Sequence, residues 1–314
     1  MKRRAASAVA VALVAAVLVI LPFTAGNYLI RVATVMAMYT VLAISWNFVG
    51  GLAGYPSFAT AAFFGLGAYA GAVAQTRAAW MPVAWLVAGA VTAAFAGGLG
   101  LLLLRLRGHY FAIASLSLVE VLRELVNNAT DLTGGGMGLN IPLASGAGVM
   151  AEAAFFFYAM WGLWLATALM VMAVAGSKLG FGLACIRQNE TASGMVGLNT
   201  TLYKSLAFGL SACFVGAAGG VYAAWVHYID PSDVFDILYS VKPIVMALMG
   251  GLGSPLGVAC GAFLYLGLEE LVWRNYIQIH TGVLGLLIVL LLLFLPHGLI
   301  SLRAGMFRRR TRHV

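Results

Sequence analysis

Residues 177–204 read SKLGFGLACIRQNETASGMVGLNTTLYK, a polar stretch carrying Lys178, Arg187, Glu190 and Lys204. The regions on both sides are dominated by apolar runs long enough to cross a bilayer. A chain that keeps one such segment among spanning helices uses it on something outside the lipid. Its reading decides the fold class: an all-α polytopic membrane protein with a docking loop near its middle. The partner expected for that loop is a motor that the chain itself lacks.

Composition agrees. Of 314 residues, 62% are hydrophobic and 9% charged, and the mean hydropathy is +0.97. A soluble domain carries roughly 25% charged residues. Many of the 38 glycines lie inside apolar runs, where small side chains let helices approach closely in the absence of a hydrophobic drive between them. A spanning helix needs about 20 mostly apolar residues. Candidate spans are 6–24, 28–49, 58–75, 82–104, 110–127, 155–175, 205–226, 237–250, 255–272 and 279–297. The first follows Lys2, Arg3 and Arg4, as a signal peptide would. Its long apolar run, with no clear A-x-A site before Asn27, makes it an uncleaved span. The eighth is too short to cross alone and runs into glycines, as a broken or re-entrant helix would.

The charges orient this layout. With the N-terminus inside and the sides alternating, the inside segments hold thirteen of the eighteen basic residues, among them Arg105, Arg107, Lys178, Arg187 and Lys204. Arg77 and Arg274 fall outside. That Lys/Arg asymmetry predicts both termini in the cytoplasm and an even number of spans, ten or else eight. The net charge of +8 sits at the chain ends and in short loops, so it reads as topology and not as a nucleic-acid surface.

Two glycine-rich breaks stand out, Gly50–Phe58 (GGLAGYPSF) and Gly250–Gly257 (GGLGSPLG). Both end an apolar run with GGL and carry a proline soon after, as a weak internal repeat would. Freed backbone groups must be buried in protein or face a water-filled cavity, so Gly250, Gly251 and Gly253 are candidates for the translocation path or its gate. The other reading is a tight turn at the membrane surface. The segment 128–154, with its run of glycines from Gly134 to Gly138, reads as a backbone-shaped extracytoplasmic loop.

Catalytic chemistry is not visible. The chain has no GxxxxGK[ST] phosphate loop and no HExxH, and its five histidines are isolated. No metal site or bound cofactor is expected. Cys185, Cys213 and Cys260 are far apart and read as small apolar fillers. One span carries charge: Glu120, Arg123 and Glu124 share a helix face. Ionisable groups at membrane depth are costly and mark function by default. Glu120 and Arg123 either line the solute path or form a structural pair facing the bundle interior.

Within the central loop, 186–199 predicts a short helix between glycine-containing turns. Arg187, Glu190 and Lys204 are expected to keep it wet, and Met195, Val196 and Leu198 give it an apolar patch suited to a partner's groove. Here the chain resembles a known family. Residues 187–199 (RQNETASGMVGLN) resemble the EAA-type coupling loop of ABC importer permeases, more narrowly the LivM type of branched-chain amino acid permease. Residues 106–113 (LRGHYFAI) resemble the family's RLRGxYFAI stretch, and Glu120 with Arg123 its following charges. LTGGGMGL at 132–139, YKSLAF at 203–208 and MGGLGS at 249–254 resemble its LTGGxxGL, YKLLAF and LGGLGS. The likeness runs over residues 28 to 300. Ser193 and Gly194 depart from it, in place of the usual alanine and a larger residue, and glycine weakens a helix by about 1 kcal/mol relative to alanine.

The resemblance implies one permease domain over 1–314, with a coupling loop at 177–204 and a basic cytoplasmic tail at 303–314. It implies an ATPase-coupling surface of Arg187, Glu190, Ala192, Gly197 and Asn199. Thr133, Gly134 and Gly135 would meet an extracytoplasmic solute-binding protein. The other implied partners are a sister permease in a heterodimer, two ABC ATPase subunits that carry the ATP and magnesium, and lipid. The localisation implied is the bacterial inner membrane, and the solute a branched-chain or other hydrophobic amino acid. The alternatives are a permease for urea or short amides and, from another class, an ion-coupled secondary transporter using Glu120. A membrane enzyme is disfavoured because no catalytic residues cluster at one membrane face.

Overall fold

The computed structural model of the chain describes residues 22, 26–77, 80–106, 108–142, 148–275, 282 and 285. The expected spans 6–24 and 279–297 lie outside these residues apart from the isolated positions 22, 282 and 285; Arg107 and the tail 303–314 also lie outside them.

Eight of the expected spans match long helices. They are α1 (Asn27–Asn47), α2 (Thr60–Thr76), α3 (Met81–Leu103), α4 (His109–Asn128), α6 (Val149–Ala175), α9 (Thr200–Val226), α11 (Leu238–Gly250) and α12 (Pro255–Asn275). Short helices lie between them: α5 (Thr130–Thr133), α7 (Lys178–Gln188), α8 (Glu190–Met195) and α10 (Pro231–Val234). Among the described residues five helical segments are long and apolar enough to cross a membrane: Asn27–Ala53, Met81–Leu103, Val149–Ala175, Thr200–Val226 and Pro255–Val272. At about 1.5 Å per residue, the 13 residues of α11 fall short of a hydrocarbon core of about 30 Å.

Helix α9 is the central element. It packs along α2 and α3 and touches α1, α6 and α7. Glycines make the contact close. A Cβ on Gly67 would lie 2.2 Å from the Gly216 carbonyl oxygen, and one on Gly219 would lie 2.2 Å from that of Phe64. Around this seam the core is aromatic, with Phe63 against Phe208 and Phe64 stacked on Tyr239. Helix α1 runs along the other side of the bundle against α6, α11 and α12.

The loops form by local chemistry. Ser177, Asn189, Asn199 and Asp230 each accept a backbone N–H at a helix start, as short polar side chains do at N-caps. Two-residue strands β1 (Leu139–Asn140) and β2 (Tyr228–Ile229) pair antiparallel, Leu139 opposite Ile229. This ties the glycine loop after α5 to the end of α9.

The central loop differs from the single short helix expected over 186–199. It contains two helices, α7 and α8, separated at Asn189, which is extended at φ −158°, ψ 106°. The Asn189 side chain caps α8 through the Ala192 amide at 3.0 Å, which ends one helix and starts the next. Helix α8 is only six residues long and is followed by Gly197 at φ +91°.

Candidate functional site

The glycine breaks and the central loop converge at one end of the bundle. After α1 the chain turns through a wide π-helical segment, Phe48–Ala53, and leaves it at Gly54, left-handed at φ 77°. The second break follows α11, with Gly251 at φ 103° and Gly253 at φ 89°. The two meet directly: buried Asn47 accepts the Gly253 amide on Oδ1 at 2.9 Å. Gly51 is glycine because there is no room beside that bond. Its Cβ would sit 2.1 Å from Asn47 Oδ1 and 3.0 Å from Gly253 N.

The central loop grips the first break from the other side. Arg187, in the last turn of α7, donates through Nη1 to the Gly51 carbonyl at 2.5 Å. Its aliphatic stem lies against Gly54, 3.1 Å from where a Cβ would be. Glu190, the first residue of α8, is 2.7 Å from Lys204 and accepts the Tyr55 hydroxyl. Lys204 Nζ also donates to the Leu104 carbonyl at 2.7 Å and to Tyr55 Oη at 2.9 Å. It lies 4.5 Å from the centre of the Tyr55 ring. Three donors on one ammonium are thus spent on three acceptors, which lets a lysine that is 3% exposed remain inside the fold.

Lys204 is a correction to the sequence reading, which had it keeping the loop wet. It is a buried charge, held inside because Glu190 neutralises it and two oxygens complete its shell. Asn47 and Tyr55 were also missed. The available signal was position: Asn47 is the polar end of an apolar run, Tyr55 follows the glycines, and Lys204 opens the apolar stretch of α9.

The remaining expected coupling residues surround this clamp. The Ala192 amide donates to the Asn189 side chain in the cap of α8, and the Asn199 side chain accepts the Leu202 amide in the cap of α9. Gly197 has open space around it and supplies the positive φ of the turn. Ser193 is buried and donates to the Asn189 carbonyl at 2.8 Å. Gly194 faces open space. Met195 and Val196 are over four-fifths exposed, at 81% and 88%, and form an apolar knob at the tip of the loop.

Glu120 and Arg123 pair at 2.6 Å, but they do not face the interior of this chain: their side chains are 62% and 43% exposed. The buried stripe of α4 is Phe111, Ser115, Leu118, Val119, Leu122 and Val126, and the charges lie off it. Arg123 reaches a polar cavity of about 360 Å³ shared with Glu124, Asn127 and Asp230. Beside it, Thr133 is buried with its hydroxyl 2.6 Å from the Val126 carbonyl, while Gly134 and Gly135 take left-handed φ values of 72° and 59°. Thr133 therefore shapes the glycine loop from within, and Met137, 86% exposed, is the side chain presented at its surface. Among the described residues no group of three or more His, Cys, Asp or Glu could hold a metal ion.

The family model described as "Branched-chain amino acid transport system / permease component" matches residues 28–295. The chain is 29% identical over 309 residues to the high-affinity branched-chain amino acid transport system permease protein LivM of Salmonella typhimurium, covering 90% of this chain and 72% of that protein. It is 23% identical over 288 residues to the permease protein LivH of Escherichia coli, covering 85% and 92%. It is 26% identical over 294 residues to the permease protein BraD of Pseudomonas aeruginosa, covering 87% and 94%. No solved structure matches the chain.

Proposed function

The chain belongs to the family of branched-chain amino acid transport permease components, and from that premise we propose that it is the membrane-spanning subunit of an ATP-driven importer that takes up branched-chain or other hydrophobic amino acids. Both termini are cytoplasmic, ten spans cross the bacterial inner membrane, and residues 1–314 form one permease domain. A sister permease completes the path, two ABC ATPases dock on the cytoplasmic face with their ATP and magnesium, and a binding protein delivers solute to the opposite face.

The observation that carries this reading is the clamp. Arg187 and Glu190 in the central loop are hydrogen-bonded to Gly51, Tyr55 and Lys204, and Asn47 joins the same glycine break to Gly253. A force applied to α8 by a partner is thereby passed through hydrogen bonds to both breaks. Met195 and Val196 supply the apolar contact for that partner, and Arg187, Glu190, Ala192, Gly197 and Asn199 hold them in place. The breaks at Gly250, Gly251 and Gly253 move as the gate, a two-state element that ATP binding and release bias through differential contacts. Glu120 and Arg123 face the sister permease along the solute path, and the loop shaped by Thr133, Gly134 and Gly135 meets the binding protein.

The test is co-purification with the ATPases, comparing wild type with Glu190→Ala and Gly197→Asp. Both variants are expected to lose ATPase association and ATPase stimulation. Unchanged association and stimulation in both would remove the coupling role. Ion-gradient-driven uptake in proteoliposomes by this chain alone would reject the importer reading.

A further inference from the structure

At the opposite end of the helices from the clamp, α1, α9, α11 and α12 line a half-open cavity of about 520 Å³. Small-molecule sites typically occupy about 300–1,000 Å³ and combine an apolar wall with a few placed polar groups. From Arg31 to Tyr39 the cavity follows α1, and eight residues of helix advance about 12 Å, so it reaches the middle of that helix. Its wall is apolar, with Val32, Val35 and Leu266. Its floor is aromatic: Tyr39 and Tyr239 stack with ring centres 5.8 Å apart.

Charges of both signs edge this wall. Lys242 in α11 and Glu269 in α12 pair at 2.7 Å with side chains only 18% and 26% exposed, and Lys242 lies 5.3 Å from the centre of the Tyr39 ring. Arg31, held 5.7 Å over the Trp225 ring, and Glu270, which accepts the Tyr28 hydroxyl, complete the rim. An interhelical ion pair contributes little by itself over apolar packing of the same volume. Ionisable residues inside an apolar bundle mark function by default, and these border an open space instead of filling it.

We propose that this cavity is a binding site for an amino acid with an apolar side chain, occupied in transit through the membrane. The ligand's carboxylate meets Arg31 and Lys242, its ammonium meets Glu269, and its side chain lies on Val32, Val35 and Leu266. The site rests on the importer reading above and gives it a location for the solute within this chain. Neither a neutral amide nor an inorganic ion uses all three features.

Two measurements decide it. Photo-leucine, a diazirine analogue, is irradiated with the assembled permease complex in membranes, and labelled peptides are identified by mass spectrometry. Labelling of the 28–39 segment that excess leucine suppresses is expected, and that isocaproate, which lacks the ammonium, suppresses at least tenfold less well. Absence of leucine-suppressible labelling there, or equal competition by isocaproate, overturns the site whether or not the complex transports. In reconstituted ATP-driven uptake, Met36→Trp, which narrows the cavity, is expected to lower leucine uptake at least fivefold more than alanine uptake. Lys242→Met with Glu269→Met is expected to lower leucine uptake at least tenfold while the complex still assembles. Equal effects on leucine and alanine in the first variant, or wild-type uptake in an assembled double variant, overturn the site. No ATP-driven uptake by the wild-type complex fails the importer reading instead, and the labelling then decides the site alone.

Discussion

Lys204 Nζ stands 2.7 Å from Glu190 Oε1, the lysine side chain 2% and the glutamate 15% exposed. The pair joins the start of α9 to the start of α8 across the turn at Gly197. It fixes the angle at which the short α8 leaves the bundle, and through Tyr55 it fixes the first glycine break as well.

Removing one member of a buried pair leaves an uncompensated charge and costs about 3–5 kcal/mol, whereas replacing both by apolar groups is often neutral. Glu190→Met is therefore expected to lower the thermal unfolding midpoint in detergent sharply, and Glu190→Met with Lys204→Met to recover most of the loss. ATPase stimulation should stay low in both, because the tie to Tyr55 is gone. Recovery of stimulation along with stability would show that the pair only holds the fold.

The Asn47–Gly253 bond is the point where the two breaks touch. Gly51→Ala would drive a methyl into Asn47 Oδ1, and Asn47→Ala removes the acceptor altogether. Each is expected to cost about 0.5–1.5 kcal/mol, the net contribution of one hydrogen bond to an amide that water can still reach. Since both act on the same bond, the double variant should cost little more than either single one. Additive losses in chemical unfolding would mean that Gly51 and Asn47 act separately.

Much of this was legible in the sequence, for identifiable reasons. Spacing of apolar runs found the long helices, since a bilayer fixes their length. The motif likeness pointed to Arg187 and Glu190, and glycine content pointed to close packing. What was hidden depends on contacts far apart in the chain. Nothing local distinguishes a Lys204 that faces water from one that finds Glu190, Tyr55 and the Leu104 carbonyl together. The break at Asn189 was hidden differently. Asparagine both tolerates helix and caps it, and only the Ala192 amide meeting its side chain decides the matter. The two GGL breaks looked like a repeat in sequence; in space they are partners.

Asp230 offers a pH readout outside the spanning helices. It caps α10, accepting the Ser232 hydroxyl at 2.5 Å and the Asp233 amide at 2.9 Å. The Ser232 hydrogen bond is the main cause holding its carboxyl below the ordinary aspartate range. A lowered folded-state value contributes stability above the unfolded value, about 3.9. That contribution is lost as pH falls through the lower folded-state value. Asp230→Asn is expected to be less stable than wild type at neutral pH, and the difference to shrink as pH falls through that window. A difference that grows on acidification would mean that the cap does not favour the charged form.

The seam between α2 and α9 tests whether glycine is there for packing. Gly67 and Gly216 approach backbone to backbone: a Cβ on Gly67 would lie 2.2 Å from the Gly216 oxygen and 2.3 Å from its Cα. Neither atom belongs to a flexible side chain, so the helices themselves must separate to admit a methyl. Gly98, in α3, has nothing within 4 Å of its Cβ position. Intrinsic helix propensity favours alanine over glycine by about 1 kcal/mol at both sites. Overpacking costs about 1–3 kcal/mol, and at Gly67 it comes with loosening of the whole seam. Gly67→Ala is thus expected to lower the unfolding midpoint, while Gly98→Ala leaves it unchanged or raises it. The same sign for both variants in thermal scans would mean that propensity, and not close approach, governs Gly67.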